Sequence, residues 1–436
     1  MKYLTLIYYD TFARFFSAIE DETKKIEPNA TFLHVAVFPS GCLYLASIGR
    51  KSKLLPLVVK SNVTNNLITT ENELEKIIKY HLAIAVRHDK KKYRSDLIER
   101  ANNYIIAWTK IVDEFQPDIV ILSGDTRIAA ESLLYVLDKL YQKNCNKFFF
   151  EQGPNGTTIL DTKGVNANCS FRLSASNLTG QGFEPAKKEN QERFKRNPIF
   201  RGFDHALIAI LRPLGKLPPE WDTMTLDKYP QKKYQQCFIE DNIPRNEEIL
   251  IALQVPDDAN NIHHNPLNIS DSDFLEMAMD AVQGLNVAVR VREHPLYRRR
   301  YRADLYNIIN TSPNVFLSNQ SLDEDFQSCS ALITINSMTG LDAYLRCIPV
   351  ITLGNSFYDH LPGIKRAAST EQLREALNAI RSENTNQIAK TNTLAIFSQM
   401  SSLYFIPGHY QDKDITPPAR SVANTIKRIN ENSSVD

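Results

Sequence analysis

Arg292-Glu293-His294-Pro295 ends an apolar run, residues 285–292, that reads as a buried strand. Ligands of an open α/β sheet bind beyond the carboxyl ends of its strands. There His294 can donate to a phosphate or accept a proton, with Pro295 stiffening the turn behind it. A histidine that merely bonds its own loop explains an isolated His-Pro as well. The neighbouring strand ends weigh against that reading. Asn336-Ser337-Met338-Thr339-Gly340 follows a strand-like run, residues 331–335, and opens a helical pattern. Ser337 or Asn336 is a competent N-cap, and the same backbone N–H groups, the hydroxyls of Ser337 and Thr339, and Gly340 make a seat for an anion. A third strand end, Thr352 to Tyr358, adds a glycine turn and an aromatic ring able to flank a base or sugar.

Two further strand ends carry carboxylates. Gln254-Val255-Pro256-Asp257-Asp258 follows residues 248–255, and its acidic pair is either turn chemistry or a nucleophile with its neighbour. Phe148-Phe149-Phe150-Glu151-Gln152-Gly153 delivers Glu151 to the end of an aromatic strand beside a glycine turn. A carboxyl partly removed from water there has its pKa raised and can serve as a general acid or base.

The elements that must position these groups alternate in type. Apolar runs at 4–8, 32–38, 119–122 and 148–150 are separated by helical periods such as 12–26 and 97–115, which predicts α/β units around a mainly parallel sheet. From about 154 to 245 the pattern dissolves, apart from an amphipathic piece at 203–211. So long a stretch inside a compact fold predicts an insertion that serves a site, plus an interdomain connection. After 245 the rhythm is regular: strands at 248–255, 285–292, 315–318, 331–335 and 349–353, with helices at 273–283, 300–309, 322–328 and 338–346. That is a Rossmann-like half. Helical patterns at 371–381, 391–404 and 419–429 form a tail able to pack back on the first half. The expected domains are 1–245, with the insertion at about 154–245, then 246–400, and a tail, 401–436, that crosses back.

The chain has 436 residues, room for two domains with a cleft between them. Hydrophobic residues make up 43% and charged residues 23%, an ordinary globular composition. Lys plus Arg number 51 against 50 Asp plus Glu, so the net basic charge of a nucleic-acid binder is missing and no nucleic-acid partner is expected. Cysteines 42, 145, 169, 237, 329 and 347 form no C-x-x-C pair and read as reduced thiols. The N-terminus reads as a core strand, not a signal peptide, and no run approaches membrane-spanning length. A cytoplasmic location is therefore expected. No metal is expected either, since His263-His264 beside Asn265 reads as solvated surface.

Taken in order, these motifs resemble the bacterial β-Kdo glycosyltransferases of capsule and O-antigen assembly, in the capsule polysaccharide synthesis family. Phe12-Ala13-Arg14-Phe15-Phe16 is similar to that family's N-terminal helix, and Phe150-Glu151-Gln152-Gly153, continuing to Gly164-Val165-Asn166, to its Glu-x-Gly segment. Gln254 to Asp258 is similar to its Gln-containing acidic loop, His294-Pro295 to its His-Pro motif, and Asn336 to Leu341 with Pro349-Val350 to the helix and strand closing its nucleotide site.

The resemblance implies a GT-B fold, two Rossmann-like domains facing across a cleft, with C-terminal helices packing back on the N-terminal domain. It implies CMP-Kdo as donor, bound mainly by the C-terminal half, retention of the β configuration, and no cofactor. Asp257 or Asp258 takes the role of covalent nucleophile, and Glu151 that of acid/base for the acceptor hydroxyl. His294, Ser337 and Thr339 hold the CMP phosphate, with Asn336, Gly340, Gly153 and Tyr358 lining the substrate site. Gln254 and Arg292 contact the donor carboxylate or hydroxyls. The acceptor is a saccharide or a lipid-linked saccharide. Peripheral contact with the inner membrane fits such an acceptor, and so do the basic clusters Lys90-Lys91-Lys92-Tyr93-Arg94 and Lys187-Lys188, Arg193, Lys195-Arg196; a solvated charged face explains those clusters as well. Two other readings use the same residues. One is a GT-B enzyme of the CDP-polyol phosphotransferase kind, and the other a non-catalytic sugar-nucleotide-binding member of a capsule assembly complex.

Overall fold

The computed structural model describes residues 1–60, 68–87, 93–141, 144–184, 192–214, 217–222, 247–295, 297, 301–382 and 388–432. The expected α/β class with two Rossmann-like halves is the fold of the chain. One unit comprises Met1–Val165, Lys188–Leu226 and Tyr404–Asp436, the other Asn166–Lys187 and Asp227–Leu403. The basic residues 90–92 and 187–188 singled out above lie outside the described residues.

The first unit's strands are β1 (Lys2–Ile7), β2 (Thr31–Ala36), β3 (Ser52–Leu54), β4 (Ile119–Ser123), β5 (Asn146–Gln152), β6 (Thr157–Asp161) and the short strand Phe405–Pro407. Among the described residues the sheet order is Phe405–Pro407, β6, β5, β4, β1, β2, β3. β1 to β5 run parallel, while β6 is antiparallel to both its neighbours. The parallel strands read as near-continuous apolar runs because both faces are covered. In β1 and β4, Tyr3, Ile7, Ile119 and Ile121 face one core, and Leu4, Leu6, Val120 and Leu122 face the other. The tail helix Thr416–Asn432 returns to this unit, setting Ala419, Val422 and Ile426 in one cluster with Phe15, Phe16 and Ile19 of the helix Asp10–Ile26. Of the stretch at 154–245, β6, the helix Pro198–Leu211 and the short helix Pro219–Asp222 belong here.

The second unit holds β7 (Glu248–Ala252), β8 (Ala288–Arg292), β9 (Val315–Leu317), β10 (Cys329–Thr334), β11 (Val350–Thr352) and β12 (Lys365–Arg366). All are parallel, in the order β12, β11, β10, β7, β8, β9. Ile249, Ile251, Val289, Val291 and Ile333 sit in one core. On the other face of β8, Arg290 is bidentate to Glu248 of β7 at 2.8 Å for both bonds, and Arg292 reaches Asp325 of the helix Leu322–Ser328 at 2.6 Å. Strand alternation puts the two arginines on the same side, where they share these buried carboxylates.

Candidate active site at the strand ends

In the second unit the strand order reverses between β7 and β10, and the carboxyl ends of strands flanking such a reversal are where open α/β sheets bind ligands. Two predicted residues meet there. Gln254 Nε2 donates to Asn336 Oδ1 at 2.5 Å, and Asn336 N donates to Gln254 Oε1 at 3.1 Å. Asn336 Nδ2 also donates to the carbonyls of Asn260 and His264, at 3.1 and 3.2 Å. Both amides are buried and tie the loops of the crevice together.

Asp258 caps the short helix Ala259–His264 by accepting from Asn260 N at 2.8 Å. Its charge also acts on His294: burial lowers the imidazole's pKa from 6.5, and Asp258 opposes that shift. The acidic loop after β7 and the His-Pro loop after β8 therefore converge. What aligns them is Tyr301, whose hydroxyl accepts from His294 N at 3.1 Å and donates to the Gln254 carbonyl at 2.8 Å. Tyr301 is 4% exposed and follows a run of three arginines, so in the sequence it reads as part of a basic block that extends the anionic donor site or covers a helix start.

Ser337 is the N-cap of the helix Met338–Tyr344, accepting from Thr339 N at 3.2 Å, with the two hydroxyls 3.1 Å apart. Gly340 has a different reason to be glycine than an anion seat requires. A Cβ there would stand 2.5 Å from the Tyr358 hydroxyl. That corrects the expectation for Tyr358. The ring is 0% exposed beneath the helix and its hydroxyl donates to the Ser337 carbonyl, so packing leaves it no face for a base or sugar. Arg292 is likewise occupied, by Asp325 and by the Gln320 carbonyl at 2.9 Å. Asp257 lies half-buried beside Asp258.

A cluster with no sequence signal closes the same edge. Arg172 donates to both carboxylate oxygens of the buried Asp359, to Asn355 Oδ1 at 2.8 Å and to the Ser356 carbonyl at 3.1 Å. Arg366 lies 3.4 Å from Asp359, with His360 next to it. These bonds join Arg172 to the loop after β11 within the second unit.

In the first unit Glu151 sits half-buried near the end of β5, its Oε1 accepting from Gln152 N at 3.0 Å. Gly153 opens the β5–β6 hairpin, and a Cβ on it would lie 2.3 Å from Thr157 Oγ1, so the turn itself demands glycine. The β1–β4 reversal carries a second polar group that the sequence reading missed. Arg127 lies 5.5 and 5.3 Å from the ring centroids of Tyr8 and Tyr80, and burial reinforced by Asp125 pushes the Glu131 carboxyl up to about 8. The signal was present as Ser123-Gly124-Asp125-Thr126-Arg127, directly after an apolar run.

Among the described residues no group of three or more His, Cys, Asp or Glu side chains is gathered to hold a metal ion, and no helix is long and apolar enough to cross a membrane.

Residues 217–402 match the model of the family described as capsule polysaccharide biosynthesis protein. Over these residues the chain is similar to that family. The matched stretch contains Gln254, Asp257, Asp258, Arg292, His294, Asn336, Ser337, Thr339, Gly340 and Tyr358, while Glu151 and Gly153 precede it. No curated protein matches the chain. Among solved structures, the chain is similar to the β-Kdo 2,7 transferase of Thermosulfurimonas dismutans KpsC at 13% identity and a TM-score of 0.37, covering 74% of this chain and 89% of that one. It is similar to the β-Kdo 2,4 transferase of the same protein at 13% identity and a TM-score of 0.34, covering 64% and 79%. A UDP-GlcNAc 2-epimerase of Methanocaldococcus jannaschii matches at 11% identity and a TM-score of 0.35, covering 92% and 99%.

Proposed function

We propose that the protein is a glycosyltransferase that moves Kdo from CMP-Kdo to a saccharide or glycolipid acceptor, with retention, in capsule or O-antigen synthesis. The observation that carries this reading is the joining of the acidic loop and the His-Pro loop by the Tyr301 hydroxyl at the strand-order reversal, within the residues that match the capsule polysaccharide biosynthesis model.

The donor phosphate takes hydrogen bonds from His294 and from the hydroxyls of Ser337 and Thr339. These groups stabilise the charge that grows on CMP as the glycosidic C–O bond breaks. His294 is uncharged near neutrality, because burial lowers its pKa, and supplies one ring N–H to that phosphate. The Asp258 carboxylate attacks the anomeric carbon as CMP departs, forming a glycosyl ester, and Asp257 is its neighbour in the acidic loop. An acceptor hydroxyl then displaces Asp258 on the same face from which CMP left, losing its proton to Glu151. Two displacements restore the starting configuration. Gln254 and Asn336 tie the loops around the donor together, and Arg292 and Tyr358 support that framework from behind.

Calorimetry with CMP, and with UDP and GDP as controls, tests the donor assignment. CMP should bind selectively, and His294→Ala should weaken it by about tenfold, roughly 1.4 kcal/mol. Preference for UDP or GDP would remove the Kdo assignment. The nucleophile is tested by mass spectrometry of protein incubated with CMP-Kdo, where Asp258→Ala should abolish a covalent adduct. Full transfer by both Asp257→Ala and Asp258→Ala would sink the covalent route through this loop.

A further inference from the structure

Arg127 is a half-buried cation without a counter-ion. It ends the loop Gly124-Asp125-Thr126-Arg127 between β4 and the helix Ile128–Tyr135. Its guanidinium lies over the rings of Tyr8 and Tyr80, both 5% exposed, and among the described residues it makes no hydrogen bond and no ion pair. Glu220 attracts it but is engaged elsewhere, its Oε1 accepting from Ala129 N at 2.9 Å and its Oε2 from the Tyr104 hydroxyl at 2.8 Å. By contrast, Arg50, Arg196 and Arg201 of the same unit each meet a carboxylate. An arginine cannot give up its proton, so taking one out of water is costly unless an anion meets it.

The surroundings suit such an anion. A Cβ on Gly124 would meet no atom within 4 Å, so the loop borders open space. The Thr126 hydroxyl beside Arg127 has no hydrogen-bond partner among the described residues either. His81, 4% exposed, keeps its Nε2 unpartnered, and burial with the charges of Arg127 and Arg100 holds its pKa at about 3, so it is neutral. Asp125 has its Oδ2 tied to Val165 N at 3.0 Å. Glu131 is pushed up to about 8 by burial and Asp125 against the opposing charge of Lys79, so at neutral pH it is protonated and does not repel an anion. In the register of β4 and β5, Ser123 pairs with Phe150, which brings the start of the loop alongside Glu151.

We propose that Arg127 and Thr126 form the anion-reading part of a saccharide site in the first unit, which takes a carboxylate or phosphate group carried by the sugar. The guanidinium fork matches either oxyanion, and the hydroxyl supplies one more donor. The rings of Tyr8 and Tyr80 hold the fork by cation–π contact, so it is set before the ligand arrives. The anion site stands on these residues alone. Naming its ligand as the acceptor rests on the proposed transfer and on the nearness of Glu151, and it narrows the acceptor from saccharides in general to acidic ones.

Saturation-transfer NMR of the full chain tests it, with methyl glucuronide, glucose 6-phosphate and neutral methyl glucoside as probes. An acidic sugar should bind about tenfold more tightly than methyl glucoside, and the better of the two acidic probes identifies the oxyanion. Arg127→Gln should bring both down to the level of methyl glucoside, while Arg127→Lys, which keeps the charge and loses the fork, should retain part of the binding. Replacing a structural arginine lowers stability. Here the thermal midpoint of Arg127→Gln should hold or rise, because no ion pair is broken. A wild type that binds the acidic sugars no better than methyl glucoside would overturn the proposal, and so would unchanged acidic-sugar binding by Arg127→Gln. CMP calorimetry reads the donor site of the second unit and should give the same result for wild type and Arg127→Gln. Failure of the anion site therefore leaves the donor reading standing, and failure of CMP to bind leaves the anion site standing.

Discussion

Tyr301 shows how a single hydroxyl can fix a candidate site. It takes a hydrogen bond from His294 N and gives one to the Gln254 carbonyl, joining the loops after β8 and β7. Tyr301→Phe should leave the fold intact at a cost of about 1 kcal/mol and weaken CMP binding several-fold by calorimetry, since each loop loses one bond to the other. A KM rise with kcat unchanged would mark Tyr301 as a positioning residue for the donor. The Gly340–Tyr358 contact makes a second residue-scale prediction. Gly340→Ala adds a Cβ 2.5 Å from the hydroxyl, so it should destabilise by about 1–3 kcal/mol in urea unfolding, despite alanine's better helix propensity. In a Tyr358→Phe background that cost should shrink. Equal costs in both backgrounds would show that the clash is relieved elsewhere.

Among the elements, β8 and the helix Leu322–Ser328 are coupled through charge. Glu248 and Asp325, 4 and 0% exposed, satisfy Arg290 and Arg292, with Ser328 Oγ also donating to Glu248 at 2.8 Å. Breaking a buried pair leaves a charge without its partner, so Asp325→Ala should cost about 3–5 kcal/mol, read as a lower urea midpoint. Replacement that costs under 1 kcal/mol would mean water reaches the arginines. The same helix was legible in the sequence to its ends. Its start at Leu322 follows from a capping box in which Glu324 N donates to Ser321 Oγ at 3.2 Å and Ser321 N donates to Glu324 Oε2 at 2.7 Å. β6 was not legible, because its five residues, Thr-Thr-Ile-Leu-Asp, carry no alternation and follow Gly153 and Gly156, so the turn signal hides the short hairpin partner behind it.

On the scale of the whole molecule, the first unit joins both ends of the chain, and its acid sensitivity should reflect that. Burial works to raise the Glu20 carboxyl, yet hydrogen bonds from His34 and Lys24 and the Arg50 charge hold it at about 2, against an ordinary 4.5. A depressed carboxyl contributes stability that is fully present above pH 4.5 and is lost as the pH falls toward 2. The contribution is roughly 2–3 kcal/mol at neutral pH. Glu20→Gln should therefore flatten the fall in stability between those limits, measured as urea midpoints at stepped pH. An unchanged acid slope would place the responsible carboxylate elsewhere.

The sequence by itself determined the element types and their order after residue 245, because apolar period, β-branched runs and capping residues act within a few positions of one another. It also placed Gln254, the acidic pair, His294, Asn336 and Ser337 at the carboxyl ends of strands, which follows from strand direction alone. Only the tertiary structure decided what each of those side chains faces. Gln254 and Asn336 found each other, Arg292 turned to Asp325, and Tyr358 went under a helix instead of lining a pocket. Direction at a strand end is set by which loops and helices pack over it, and those partners lie tens of residues away in the chain. For the same reason no period could show that the helix Pro198–Leu211 keeps its charges inside and its apolar stripe in the open.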